Sequence, residues 1–410
     1  MSLTHYDHCR MCGSKKLTMF LDLGKQPPPN RNIPPRSWLK NPEPIYPLQV
    51  WFCHDCALVQ LCDVPSKEEM FSEYQFLSTG VGNTPKHFQE YAQELKKKFL
   101  KKGDFVVEVG GNDGVLLVEL KDDMRVLNIE PAKNIAPIAR SRGVDTLNDF
   151  FTSDVAKKVT KKYGKAKVAL GNNSIPHIAD QESVMMGFKE LLAEGGVGII
   201  QAHYLGDMIE TLGYGDIYHE HMAYYAILPL ISFYKKLGLE IFDYQMFDFQ
   251  GGSIRIYFGH KGAHKVSPRV AKLAAQEKKK GWNKLAIYKK FAKDVKRSRD
   301  KLVKTLSALK KKGKHVAAYG AAAKAVPILN YAGITEKMVD FCVDGLQSKQ
   351  GLCMPMSHIP IISPEEAKKR TVDYYLLLAW TFRGHIVAKE KDFVARGGKF
   401  IMPIGEIEIF

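Results

Sequence analysis

The chain has 410 residues, enough for two or three domains at about 150 residues each. Its balance of 45% apolar and 25% charged residues excludes disorder as the main state, and no apolar run reaches the roughly 18 residues that cross a bilayer. The net charge of +16 suggests a polyanion partner until it is located: +14 of it lies between Arg269 and Lys312, and the rest of the chain is nearly neutral.

From the N-terminus, Cys9-x-x-Cys12 and Cys53-x-x-Cys56 flank a segment carrying Pro27, Pro28, Pro29, Pro34, Pro35, Pro42, Pro44 and Pro47. That much proline forbids long helices and predicts a small, loop-rich module needing a staple. Two thiolate pairs at i, i+3 spacing match a closed structural Zn2+ site. A redox dithiol is the alternative, though neither pair adjoins a thioredoxin-like pattern. The opening residues are too polar for a secretory signal, so a cytoplasmic protein with reduced thiols is expected.

Residues 88–100 read as an amphipathic helix. Residues 105–109 form a strand entering Gly110-Gly111-Asn112-Asp113-Gly114, with a helical segment expected after it. Further strands are expected at 126–129 (ending at Glu130), 168–170 (ending at Asn172-Asn173) and 197–201, with a helix at 135–142. Strands alternating with helices predict an α/β fold with a parallel sheet. The glycines let a ligand approach the backbone, and Glu130 could hold a ribose diol. This is the layout of S-adenosylmethionine (SAM) methyltransferases, although any α/β protein can carry a glycine turn and a surface Glu.

Asp216-Ile217-Tyr218-His219-Glu220-His221 groups several polar side chains. It reads as an exposed loop, as a partial metal site through His219 and His221, or as a general base with a polarising neighbour. His177 follows the third strand. Apolar residues recur at helical spacing through 269–312, predicting one or two amphipathic helices with a solvated lysine face. A second α/β rhythm closes the chain: strands at 315–319, 339–343 and 374–379, the turn Gly320-Ala-Ala-Ala-Lys324, and a helix at 325–331. Two nucleotide-type crevices are expected.

In this order the motifs resemble the family of nucleotide-sugar C-methyltransferases. The resemblance runs through the four cysteines, Val107–Gly114, Asn148-Asp149-Phe150-Phe151, Asn172-Asn173 with His177-Ile178, and Tyr204-Leu205-Gly206-Asp207. It continues through Tyr218-His219-Glu220-His221, Gly251-Gly252, Tyr319–Lys324, Lys349-Gln350 and His358-Ile359-Pro360-Ile361.

The resemblance implies a zinc-binding module (1–68), a central SAM-binding, Rossmann-like methyltransferase domain (69–258) and a C-terminal Rossmann-like α/β domain (259–410) for a nucleotide-diphosphate sugar. It implies His221 as base, surrounded by Glu220, Tyr218, His177 and Tyr74. It places Glu108, Gly110, Asn112, Asp113, Glu130, Pro131, Asp149, Phe150, Asn172 and Asn173 around SAM. Gly251, Gly252, Gly320, Lys324, Lys349, Gln350 and His358 would serve the substrate.

Two positions depart from the family pattern: Phe76 stands where a second aromatic hydroxyl is usual, and Met354-Pro355-Met356-Ser357 precedes His358 in place of a Pro-Gly. The expected reaction is methylation of carbon beside a ketone, with Glu220 as a candidate for fixing the His221 tautomer. The alternatives are O- or N-methylation of a nucleotide sugar, and a zinc-containing nucleic-acid-binding protein on an inactive methyltransferase fold. The last finds few aromatics in the basic stretch (Trp282, Tyr288, Phe291) on which bases could stack.

Overall fold

The computed structural model describes residues 2–80, 82 and 84–410. In the N-terminal module the strands Leu17–Gln26, Tyr46–Cys53 and Val59–Leu61 pair antiparallel, and the short strand Ala223–Tyr224 from the middle of the chain completes the sheet. The cysteine pairs sit on two turns of like geometry. After Cys12, Gly13 takes φ +75°; after Cys56, Ala57 takes φ +65°, a left-handed conformation that costs a non-glycine residue about 1–2 kcal/mol.

The central sheet has seven strands. From one edge they are Thr146–Leu147, Arg125–Ile129, Phe105–Val109, Ala166–Asn172, Leu192–His203, Ser253–His260 and Leu239–Phe247. Ser253–His260 runs antiparallel to both neighbours, and the first five strands are parallel. Phe105–Val109 is buried along its whole length, as a parallel strand covered on both faces requires. The helix Thr84–Lys98 buries Phe88, Tyr91, Ala92 and Leu95, one face at helical spacing.

The helix expected after Gly114 does not form; the chain makes only a tight turn at Leu117–Glu119. Val115, Leu116 and Leu117 are all buried in succession, which leaves no solvent face for a surface helix.

The basic stretch folds as two helices, Pro268–Lys279 and Leu285–Lys311. The longer one buries Tyr288, Phe291, Val295, Leu302, Leu306 and Leu309, and its Tyr288 packs on Phe20 and Phe52 of the N-terminal module. The lysines occupy the other face. Glu277 is the buried acid here. It accepts the Tyr204 hydroxyl at 2.8 Å and the N–H groups of Ile227 and Leu228 at 2.8 and 2.9 Å, capping the helix Ile227–Lys236.

The last sheet is all parallel, in the order Ile361–Ile362, Cys342–Val343, Val316–Tyr319, Tyr374–Leu377, Lys399–Ile401. Open parallel sheets bind ligands beyond the carboxyl ends of strands where the order reverses. In the central sheet that point lies between Phe105–Val109 and Ala166–Asn172, and in the last sheet between Val316–Tyr319 and Tyr374–Leu377. Both open into one cavity: Val109, Gly110, Asn172 and Asn173 line it from one side, Tyr319, Gly320, Leu378 and Ala379 from the other.

Candidate active site

The cavity holds about 1020 Å³, room for more than one small molecule. His221 is its buried histidine. The Nδ1 lies 2.7 Å from the main-chain carbonyl of Asp216; a carbonyl only accepts, so Nδ1 carries the proton and Nε2 keeps its lone pair. Burial pushes the pKa of His221 down to about 3, with His203 and Lys324 adding to the shift, and the ring is therefore neutral. Tyr218 stands 4.0 Å ring to ring from it and His177 5.0 Å.

The tautomer is thus set by the Asp216 carbonyl, in place of the expected Glu220. The Glu220 carboxylate turns the other way, accepting the Tyr74 hydroxyl at 2.6 Å and the Asn30 amide at 2.8 Å. Burial raises its pKa to about 7. His219 donates its ring Nε2–H to the carbonyl of Pro47 at 3.2 Å, inside the N-terminal module, so it shares no metal with His221. Residues 218–221 form a tight turn, closed by the His221 N–H on the Tyr218 carbonyl at 2.9 Å, which sends His219 and Glu220 away from the His221 ring.

At the central glycine turn, Glu130 accepts N–H from Asn112 and Ala132, each at 2.9 Å, and burial raises its pKa to about 6. Gly110 takes φ +67°, and a Cβ there would lie 2.5 Å from the Ser174 Cβ. Asn172 Oδ1 and Asn173 Oδ1 are buried acceptors without a hydrogen bond to the described residues, as a wall awaiting a donor-bearing ligand would have. Pro131 and Phe150 line the cavity too.

Three expected cofactor residues stand behind this wall. Glu108 accepts Asn172 Nδ2–H at 2.8 Å beneath Gly111. Asp113 accepts the Thr79 N–H at 3.1 Å, and Asp149 is exposed, accepting the Phe150 N–H at 2.8 Å.

Of the expected substrate residues, Gly320, Lys324 and Lys349 line the cavity. Lys349 donates to the Ala321 carbonyl at 2.7 Å, and Lys324 pairs with Asp216 at 2.8 Å. Gly251 and Gly252, in the turn before Ser253–His260, and Gln350, bonded to the Asp344 carbonyl at 3.1 Å, are not brought to the cavity wall. Neither is His358, which bonds Glu43 at 2.7 Å and stacks on Trp38 at 3.7 Å, where the C-terminal domain meets the N-terminal module.

The structure adds residues the sequence analysis passed over. His203 ends the strand Leu192–His203, 5.1 Å from the His221 ring; burial lowers its pKa to about 4. Its signal was position, the carboxyl end of a parallel strand, hidden because that strand runs two residues beyond the expected end. Asp344 likewise ends the strand Cys342–Val343. Asn30 lies in a proline-rich loop, where no pattern marks it.

The four cysteine Sγ atoms lie within 4.8 Å of one another, with Cys9–Cys56 at 3.4 Å and Cys12–Cys53 at 3.6 Å. Zn–S bonds of about 2.3 Å give a tetrahedral edge near 3.8 Å, so the set fits one Zn2+ and leaves no open position. A seven-stranded sheet with one reversed strand, a glycine turn and a carboxylate on the next strand define a Rossmann-like, SAM-dependent methyltransferase carrying a structural zinc module.

Comparison with known proteins narrows the class. Family models match as a zinc binding domain over residues 9–71, a methyltransferase domain over 85–243 and a C-methyltransferase C-terminal domain over 248–405. The chain is 32% identical over 403 residues to the C-methyltransferase NovU of Streptomyces niveus, covering 98% of this chain and 96% of that protein. It belongs to this C-methyltransferase family.

Solved structures with a similar region include a SAM-dependent methyltransferase of Thermotoga maritima (20% identity, 43% of this chain and 89% of that one, TM-score 0.32). Another is a SAM-dependent methyltransferase of Anabaena variabilis (12%, 44% and 86%, TM-score 0.36). Among the described residues no helix is long and apolar enough to cross a membrane.

Proposed function

We propose that the protein methylates a carbon beside the ketone of a nucleotide-linked keto-deoxysugar, with His221 as the base. The similarity to the C-methyltransferase NovU supports transfer to carbon, and the motif resemblance together with the second crevice, at Gly320, supports a sugar-nucleotide substrate. The observation that carries the mechanism is the His221 Nδ1–H bond to Asp216, which leaves Nε2 as a lone pair at the cavity wall.

Carbon is a poor nucleophile, so its proton must leave first to give an enolate. A neutral imidazole can take it. The negative charge developing on the ketone oxygen offsets the burial that disfavours imidazolium. Tyr218 and His177 line the same end of the cavity and can donate to that oxygen; one such donor is worth about 3–4 kcal/mol. Burial holds the Tyr218 hydroxyl protonated, its pKa raised well above the usual value. The Glu220–Tyr74–Asn30 group fixes a further part of the wall through Tyr74 and Asn30.

SAM supplies an already activated methyl group. Its ribose would be held by Glu130, its backbone approach admitted by Gly110, and its polar groups met by Asn112, Asn172 and Asn173. The nucleotide would lie against Gly320 and the last sheet. Holding carbon and methyl in line removes much of the remaining barrier.

The test is His221→Ala with dTDP-, GDP-, CDP- and UDP-4-keto-6-deoxysugars. Methyl transfer should fall at least about 10²–10⁴-fold, the usual share of a general base, while S-adenosylhomocysteine binding stays within about twofold. NMR of the wild-type product should show a new C–CH3 and loss of the neighbouring ring proton. An O- or N-methyl signal, or full activity in the variant, sinks the reading.

A further inference from the structure

Lys324 stands in the glycine turn of the last sheet, where an amine could meet a diphosphate. Its Nζ is instead committed to the other side of the cavity. It lies 2.8 Å from Asp216 Oδ1 and donates to the Gln250 carbonyl at 2.5 Å. Asp216 is the same residue whose carbonyl holds the His221 ring at 2.7 Å. One residue therefore faces two ways: its carboxylate is bound by the C-terminal domain and its main chain orients the histidine.

The surroundings show that this contact is built in. The Asp216 and Lys324 side chains are only 10% and 13% exposed. A Cβ on Gly215 would lie 2.8 Å from the Lys324 carbonyl oxygen, so glycine is what lets the two segments touch. Tyr214 meets Tyr331 of the helix Ala325–Tyr331 edge to face at 6.2 Å. His203 Nε2 is 4.0 Å from the same Asp216 oxygen, ready to draw the carboxylate toward itself if the lysine is lost. Removing one partner of a buried ion pair leaves an uncompensated charge, and the loop must move to resolve it.

We propose that Lys324 is a positioning residue: its cross-domain ion pair with Asp216 locks the loop 214–221 and so holds His221 in one orientation and tautomer. This rests on the reading of His221 as base, but its test does not need turnover.

In the full-length protein labelled with 15N-histidine, the Nδ1–H signal of His221 is assigned by its absence in His221→Gln. It should be present in the wild type, lost or exchange-broadened in Lys324→Met and in Asp216→Asn, and restored in Lys324→Arg. Calorimetry with dTDP, UDP and GDP should show nucleotide affinity changed less than about threefold in Lys324→Met. A retained His221 Nδ1–H signal in folded Lys324→Met overturns the proposal. A tenfold or greater loss of nucleotide affinity with that signal intact makes Lys324 a phosphate contact. Should Lys324→Met fail to fold, Asp216→Asn decides alone. An active His221→Ala protein would refute the base itself, a separate outcome.

Discussion

In the central sheet the strand Phe105–Val109 ends at Gly110, and the carboxylate ending the next strand, Glu130, grips the turn through Asn112 N–H and its own i+2 N–H. In the last sheet Val316–Tyr319 ends at Gly320, and Asp344 after the next strand grips the turn through Ala321 N–H and again its own i+2 N–H, both at 2.8 Å. The frameworks match, and the charges around them differ. The central turn is backed by Glu108 and Asp113 and has no lysine or arginine of its own, which suits a sulfonium; Lys67 reaches the same cavity over the Phe150 ring. The other turn brings Lys324, spent on Asp216, and Lys349, which on the proposed reading is the cation that suits a diphosphate. On the proposed assignment the same backbone device serves ligands of opposite charge.

The largest break in this symmetry would come from the module both crevices lean on. Through Ala223–Tyr224, two residues past His221, the central domain completes the zinc module's sheet. Structural zinc sites contribute folding energy directly. Cys53→Ser should release the metal, measured by atomic absorption, and abolish cooperative unfolding of the module with at least a hundredfold loss of methyl transfer.

Next come the glycines. Both hold positive φ, +67° at Gly110 and +91° at Gly320, and a Cβ at either would collide with Ser174 or Ala379 respectively. Gly110→Val should weaken S-adenosylhomocysteine binding about a hundredfold, about 2.7 kcal/mol, and leave nucleoside diphosphate binding within threefold. Gly320→Val should do the reverse. Calorimetry with each ligand reads both, and a variant that weakens both ligands alike would end the idea of independent crevices.

The carboxylates sharpen the comparison at a smaller scale. Glu130→Gln should cost S-adenosylhomocysteine about tenfold in affinity, and Asp344→Asn the nucleoside diphosphate about the same, from loss of a charge-assisted hydrogen bond.

The smallest effect concerns pH. His177, His203 and His221 are held neutral, with pKa values lowered below 6.5, to about 4 and about 3 for the last two. Their contribution to stability is full above pH 6.5 and is lost as pH falls through those values. Glu108, Glu130 and Glu220, raised to about 7, 6 and 7, pull the opposite way: they favour the fold below about pH 4.5 and lose that as pH rises toward 7. Comparing His203→Gln with the wild type isolates the histidine share. The Tm difference, variant minus wild type, should grow in the variant's favour between pH 6.5 and 4. A constant difference would show His203 to be freely protonated in the fold.

Much of this protein was legible before folding, because local rules carried it. Cys9, Cys12, Cys53 and Cys56 announce a metal by spacing, and the strands 105–109 and 126–129 announce themselves by composition and their glycine or acidic ends. The helix Ala325–Tyr331 has the bounds expected from the glycine turn that opens it. What the chain could not show was anything decided between segments distant in sequence. Glu220 was the natural tautomer partner by adjacency, yet the turn at 218–221 sends its carboxylate to Tyr74 and Asn30 and hands the task to the Asp216 carbonyl. His358 sits in a motif but is drawn to Glu43 and Trp38. His203 becomes part of the histidine cluster only because the fifth parallel strand brings its end beside the loop 214–221. Turn chemistry and hydrophobic period are properties of a few consecutive residues. Which nitrogen keeps its lone pair, and which lysine is spent on an ion pair, depends on burial that exists only once three domains close around one cavity.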